Sequence, residues 1–144
     1  MHLLRSLAVL STATMAGVAM AGPVDDSAPL ACKATQTHDC LPGKACKALD
    51  AATSPIEGNK DYHFIIDFKN MSARSIYRES ALPITNANKT EDRLVVQGID
   101  KSVAWSAVIK RSNGAFTLTV ADRDGAYILF GECAAKASDK KAKS

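Results

Sequence analysis

Beyond its N-terminus the sequence has no apolar run approaching the ~20 residues of a membrane-crossing helix, so stable membrane insertion of the working chain is not expected. Aromatic residues are scarce, 6% of 144, and Trp105 is the single tryptophan. Histidine is scarce as well: of three, only His38 and His63 lie past the N-terminal segment. No serine stands in a Gly-x-Ser-x-Gly nucleophile motif, and no second acid is placed beside His63 and Asp67. An enzyme is therefore not expected, no catalytic residue is assigned, and no cofactor is implied. A strong surplus of one charge is lacking too. Arg5 is the one Lys or Arg of residues 1–21, so 18 basic against 15 acidic residues become 17 against 15 without them. The last nine residues hold Lys136, Lys140, Lys141 and Lys143 against Asp139, which leaves residues 22–135 slightly acidic. With no basic stripe on the body, nucleic acid is excluded as a partner.

The chain begins with an export signal. Arg5 precedes an apolar run over 7–18, and Ala19-Met20-Ala21 supplies the small-x-small cleavage pattern. Residues 1–21 read as a signal peptide, and the mature chain is expected to start near Gly22, periplasmic or secreted. Residues 22–31, short, acidic and carrying Pro23 and Pro29, read as a flexible leader that does not pack. Residues 32–135 fit a single disulfide-bonded β domain, and 136–144 a disordered Lys-rich tail.

An exported chain with four cysteines most often forms two disulfides. Cys40 and Cys46 flank the turn Leu41-Pro42-Gly43-Lys44 and are expected to pair, which leaves Cys32 with Cys133. A metal site from Cys32, His38, Cys40 and Cys46 is the rival. It has no Cys-x-x-Cys pair and an oxidising compartment opposes it, so no metal is assigned. Asp122, Asp124 and Gly125 read as turn formers, because the remaining ligands of a calcium loop are missing.

A helical turn is expected over 45–52, ended by Pro55 and Gly58, and strands from Asp61 onward. Tyr62, Phe64, Ile66 and Phe68 alternate with His63, Ile65, Asp67 and Lys69, which places His63 on the solvated face of a strand. Further strands are expected over 74–78, 82–85 (an edge, with Pro83), 94–98, 103–111, 115–121 and 126–133, with a polar loop over 86–92. Asn113-Gly114 and Asp124-Gly125 suit two-residue hairpin turns with positive φ at both glycines. Such turns set Ile109 opposite Leu118 and Val120 opposite Leu129. Both then put Trp105, Phe116, Leu118, Val120 and Leu129 on one face. The fold class is all-β: a small antiparallel barrel or curled sandwich of about six to eight strands, with a C-terminal meander and a disulfide-tied N-terminal segment.

The other face of the meander carries Val108, Ile128 and Phe130, joined by Ile65. Either residues 40–52 cover this face or a partner does. On the inner side, Trp105 and Tyr127 would line a cavity if the sheet closes around one. These residues are the candidate partner or ligand surface, together with loops 41–44, 86–92 and 111–113.

In size, export signal and the ending Gly131-Glu132-Cys133, the chain resembles small exported β-barrel proteins, including periplasmic lysozyme inhibitors. Ser112-Asn113-Gly114-Ala115 and Asp124-Gly125-Ala126-Tyr127 echo in part the Ser-Gly-x-x-Tyr inhibitory loop of those proteins. The resemblance implies a hydrolase inhibitor as one alternative and transfers no site residue. The leading expectation is a non-enzymatic exported binding protein with a protein partner at the envelope. A small-ligand-binding barrel is the other alternative.

Overall fold

A computed structural model of the protein describes residues 22–50, 54, 56 and 60–136. The expected signal peptide, the expected tail beyond Lys136 and the end of the expected helical turn lie outside the described residues. Ten antiparallel strands form one curled, half-barrel sheet, and the described residues contain no helix. The strands are β1 (Leu30–Cys40), β2 (Lys47–Leu49), β3 (Phe64–Asp67), β4 (Ser72–Ser75), β5 (Leu82–Pro83), β6 (Asn86–Lys89), β7 (Arg93–Asp100), β8 (Val103–Lys110), β9 (Ala115–Ala121) and β10 (Ala126–Ala135). Their order across the sheet is β5-β4-β3-β1-β10-β9-β8-β7-β6, with β2 paired to the C-terminal part of β1. Residues 82–89 belong to both ends of this path: β5 pairs with β4, β6 pairs with β7, and between them Ile84 N–H bonds Met71 O and Thr85 N–H bonds Gln97 O.

The meander forms as its alternation dictates, and β9 spans the expected residues 115–121. Its registers differ from expectation. Ile109 pairs with Phe116 rather than Leu118, and Val120 pairs with Tyr127 rather than Leu129. Each hairpin is thus displaced by two residues and joined by residues 111–114 or 122–125 instead of a two-residue turn. An even displacement keeps every side chain on its face, so Trp105, Phe116, Leu118, Val120 and Leu129 do share the concave side. The loops explain the change. Gly114, at φ +70°, donates its N–H back to Lys110 O, whereas Asp122 caps its own loop by accepting from Asp124 and Gly125 N–H. Gly125 has no positive φ, contrary to expectation.

Three N-terminal readings are corrected. Residues 30–40 form a central strand, β1, tied to β10 by the cross-strand disulfide Cys32–Cys133 and to the next loop by Cys40–Cys46, the two expected pairs. A bulge between Ala34 and Gln36 interrupts the apolar alternation Leu30, Cys32, Ala34, which hides the strand in the sequence. The leader packs: Val24 is buried and bonds Arg111 O, and Asp26 meets Lys89 and Arg111. Lys47–Leu49, expected as helical, extends the sheet beside β1 and does not fold over the convex face. Asn86–Lys89, expected as loop, is β6. Leu30, Leu94, Val96 and Ile109, fully buried at about 1.5–3 kcal/mol each, fill the end of the half-barrel that Val24 and Phe68 close.

Candidate functional site

At the opposite end the concave faces do not meet. Small side chains there, Ala73 and Ser75 on β4 and Ala107 on β8, leave a cavity of about 310 Å3. Its walls are Phe64 and Ile66 of β3, Trp105 of β8, Phe116 and Leu118 of β9, and Leu129 of β10. The rim is formed by Tyr77, Arg78, Asp100, Val103 and Tyr127. Tyr77 and Tyr127 are each 41% exposed, so the rim reaches solvent.

Each wall residue is held by the sheet. The Trp105 indole lies over its cross-strand partner Gly98, where a Cβ would stand 2.4 Å from Cζ2. That missing side chain lets the ring lie flat along the wall. Its Nε1 is buried and has no hydrogen-bond partner among the described residues. At the rim, Arg78 in the β4–β5 loop forms a salt bridge with Asp100 at the end of β7. The pair is partly exposed and contributes at most about 1 kcal/mol. Its effect is to pin one rim segment to another.

His63 is fully buried, which overturns its placement on a solvated face. Its Nδ1 accepts Ala34 N–H at 2.9 Å, just beyond the last paired residues of β1 and β3, and the backbone N–H of His63 donates to Cys32 O. The ring stacks on Tyr77, centroids 6.3 Å apart and planes 17° from parallel. His63 thus supports the cavity rim from beneath. Asp67, which the alternation places on the same face as His63, turns the other way. Its carboxylate accepts from Lys69 and Asn70, and the Asn70 backbone N–H leads in holding its pKa below the ordinary value. Asp26 is likewise lowered, chiefly by its hydrogen bond to Lys89.

The candidate surface residues divide between two places. Trp105 and Tyr127 face the cavity, whereas Val108, Ile128 and Phe130 lie on the convex face. Loop 41–44 follows β1 at the cavity end; loops 90–92 and 111–114 are at the closed end. The two loops that echo an inhibitory motif therefore stand at opposite ends of the sheet. All four cysteines are in disulfides, and no cluster of metal-ligating side chains exists among the described residues. Sequence reasoning missed Tyr77, Arg78 and Asp100 and misplaced His63, because they flank strands whose pairing no local signal announces. Two disulfides point to an oxidising compartment, and among the described residues no helix is long and apolar enough to cross a membrane. Comparison with protein-family models, curated proteins and solved structures finds no match.

Proposed function

We propose that this is an exported, non-enzymatic binding protein that takes a small apolar molecule into the half-barrel. The observation that carries the reading is the 310 Å3 cavity, whose aromatic and aliphatic side chains surround space instead of filling it. Ligand sites in proteins begin at about 300 Å3, and this one has their composition: apolar walls with a few polar groups at the mouth. The occupant is compact, with its apolar part against Phe64, Phe116 and Leu118 and any polar end among Tyr77, Arg78 and Tyr127. Disulfides suit a binding protein that works outside the cytoplasm, as the N-terminal signal directs.

Trp105 is the only tryptophan and forms one wall, so its emission reports occupancy directly. Titration with medium-chain fatty acids and with a naphthylamine dye is expected to shift that emission saturably. Ala107→Leu puts a larger side chain into the cavity and is expected to abolish the shift while leaving the fold intact by circular dichroism. Absence of saturable binding by every apolar probe, or unchanged binding in Ala107→Leu, overturns the reading.

A further inference from the structure

At the mouth of the cavity charge meets the apolar interior, and the fold cancels that charge. Among the described residues, three charged ones touch the lining: Arg74, Arg78 and Asp100. Arg74 is exposed on β4 between buried Ala73 and half-buried Ser75 and pairs across the strands with Ile65, so alternation turns its side chain to the outer face. Arg78 and Asp100 remain, and they form a salt bridge with each other. Arg78 comes from the loop between β4 and β5 and Asp100 from the last position of β7, at the other end of the strand order, so the pair exists only because the sheet curls. The Asp100 side chain is only 20% exposed, which keeps its charge at the mouth. Other charges at this end are met locally too: Arg123 pairs with Asp124, Asp122 accepts from the backbone of its own loop, and Asp39 stands opposite Lys47. Lys101, next to Asp100, is exposed and lies outside the lining.

A charged ligand head gains little from such a mouth. A carboxylate has to take Arg78 from Asp100, which is tethered in the same chain and so competes at a high effective concentration. If it leaves the pair intact, it meets the charge of Asp100 along with that of Arg78. An ammonium head faces the mirror image of this problem. An uncharged head does not, because a salt-bridged carboxylate keeps spare lone pairs and a guanidinium spare N–H groups, so a hydroxyl or carbonyl can bond beside the pair without breaking it. Deeper in, the apolar walls offer no countercharge, and an unpaired charge buried there costs far more than a hydroxyl.

We infer that the cavity takes an uncharged amphiphile, with an apolar body and a hydroxyl or carbonyl head, and that Asp100 turns away anionic molecules by neutralising Arg78. Such a preference presupposes that the cavity binds a small apolar molecule at all, as proposed above. Asp100 is then a specificity residue of the repulsive kind, which discriminates by what it denies the wrong ligand.

The test compares octanol, octanoate and octylamine, which share one chain and differ in the charge of the head, at neutral pH on the disulfide-bonded mature protein. Trp105 emission and displacement of a naphthylamine dye are the readouts. Octanol is expected to bind at least about tenfold more tightly than either ion, a factor within the range of one hydrogen bond to a charged group. A plain apolar cavity would also favour the alcohol, so two variants carry the decision. Asp100→Asn frees Arg78 and is expected to strengthen octanoate relative to octanol by about tenfold, and Arg78→Gln frees Asp100 and is expected to do the same for octylamine. The pair contributes too little to stability for either variant to unfold, and reading each ion against octanol in the same variant cancels any loosening of the rim. Octanoate that binds the wild-type protein as tightly as octanol, or an ion-to-octanol ratio that either variant leaves unchanged, overturns the inference while the cavity remains a binding site. If none of the three chains shifts the emission or displaces the dye, the binding reading falls with it.

Discussion

His63 occupies a position that alternation alone assigns to solvent, yet it is fully buried. The alternation of residues 62–69 holds from Phe64 to Lys69 and fails just before β3, where the chain turns the imidazole inward. There it accepts the Ala34 N–H and stacks on Tyr77. A buried N–H deprived of its acceptor costs about 1–3 kcal/mol. His63→Phe keeps an aromatic ring for the stack and removes the acceptor, so it is expected to lower stability by that amount in urea denaturation. An unchanged midpoint would show that the hydrogen bond has no net effect. A histidine amid apolar neighbours reads equally well as surface or core until its partner is known. That partner, Ala34, lies 29 residues away on a strand concealed by a bulge.

The elements most legible in the sequence are those fixed by short-range chemistry. Two Gly-containing turns bracket β9, whose limits and inward face, Phe116, Leu118 and Val120, follow from period two alone. What short-range chemistry left open is the turn length, and with it a displacement of two residues in both registers. β1 and β6 were hidden for different reasons. In β1 a bulge breaks the pattern, and β6 is an edge strand of Asn86-Ala87-Asn88-Lys89, polar because an edge has little to bury. The hairpins also give a contrast between two glycines. At Gly114, φ is +70° and a Cβ would stand 2.0 Å from Cys133 O, so backbone and space both exclude a side chain. Gly114→Val is expected to cost at least about 2 kcal/mol in thermal or urea unfolding. At Gly125 the nearest atom, Cys40 O, would be 2.8 Å away and no positive φ is required, so Gly125→Val is expected to cost less. Equal losses in the two variants would contradict this account of the loops.

At the scale of the molecule, the curl depends on strands far apart in sequence. β1 joins β3 to β10, and residues 82–89 return to serve both ends of the sheet. No local pattern announces such pairings, which is why the cavity rim formed by Tyr77, Arg78 and Asp100 was not legible while the wall residues Trp105 and Leu118 were. The cysteines are the exception, since one short-range pair leaves only one long-range pair. Cys32–Cys133 cross-links positions 101 residues apart, in the middle of the sheet, and Cys32 also lines the cavity. Closing so long a loop stabilises by about 4–5 kcal/mol in the chain-entropy description, whereas Cys40–Cys46, only 6 residues apart, constrains the unfolded chain far less. Replacing Cys32 and Cys133 by alanine is therefore expected to lower stability by about 2–5 kcal/mol and to weaken any cavity binding. Replacing Cys40 and Cys46 should cost less and spare the cavity, since neither lines it. Denaturation of both variants, with Trp105 emission as one probe and far-ultraviolet circular dichroism as the other, decides the matter. A smaller loss for the long-range pair than for the short one would mean that the half-barrel holds its curl by strand pairing and core packing without this cross-link.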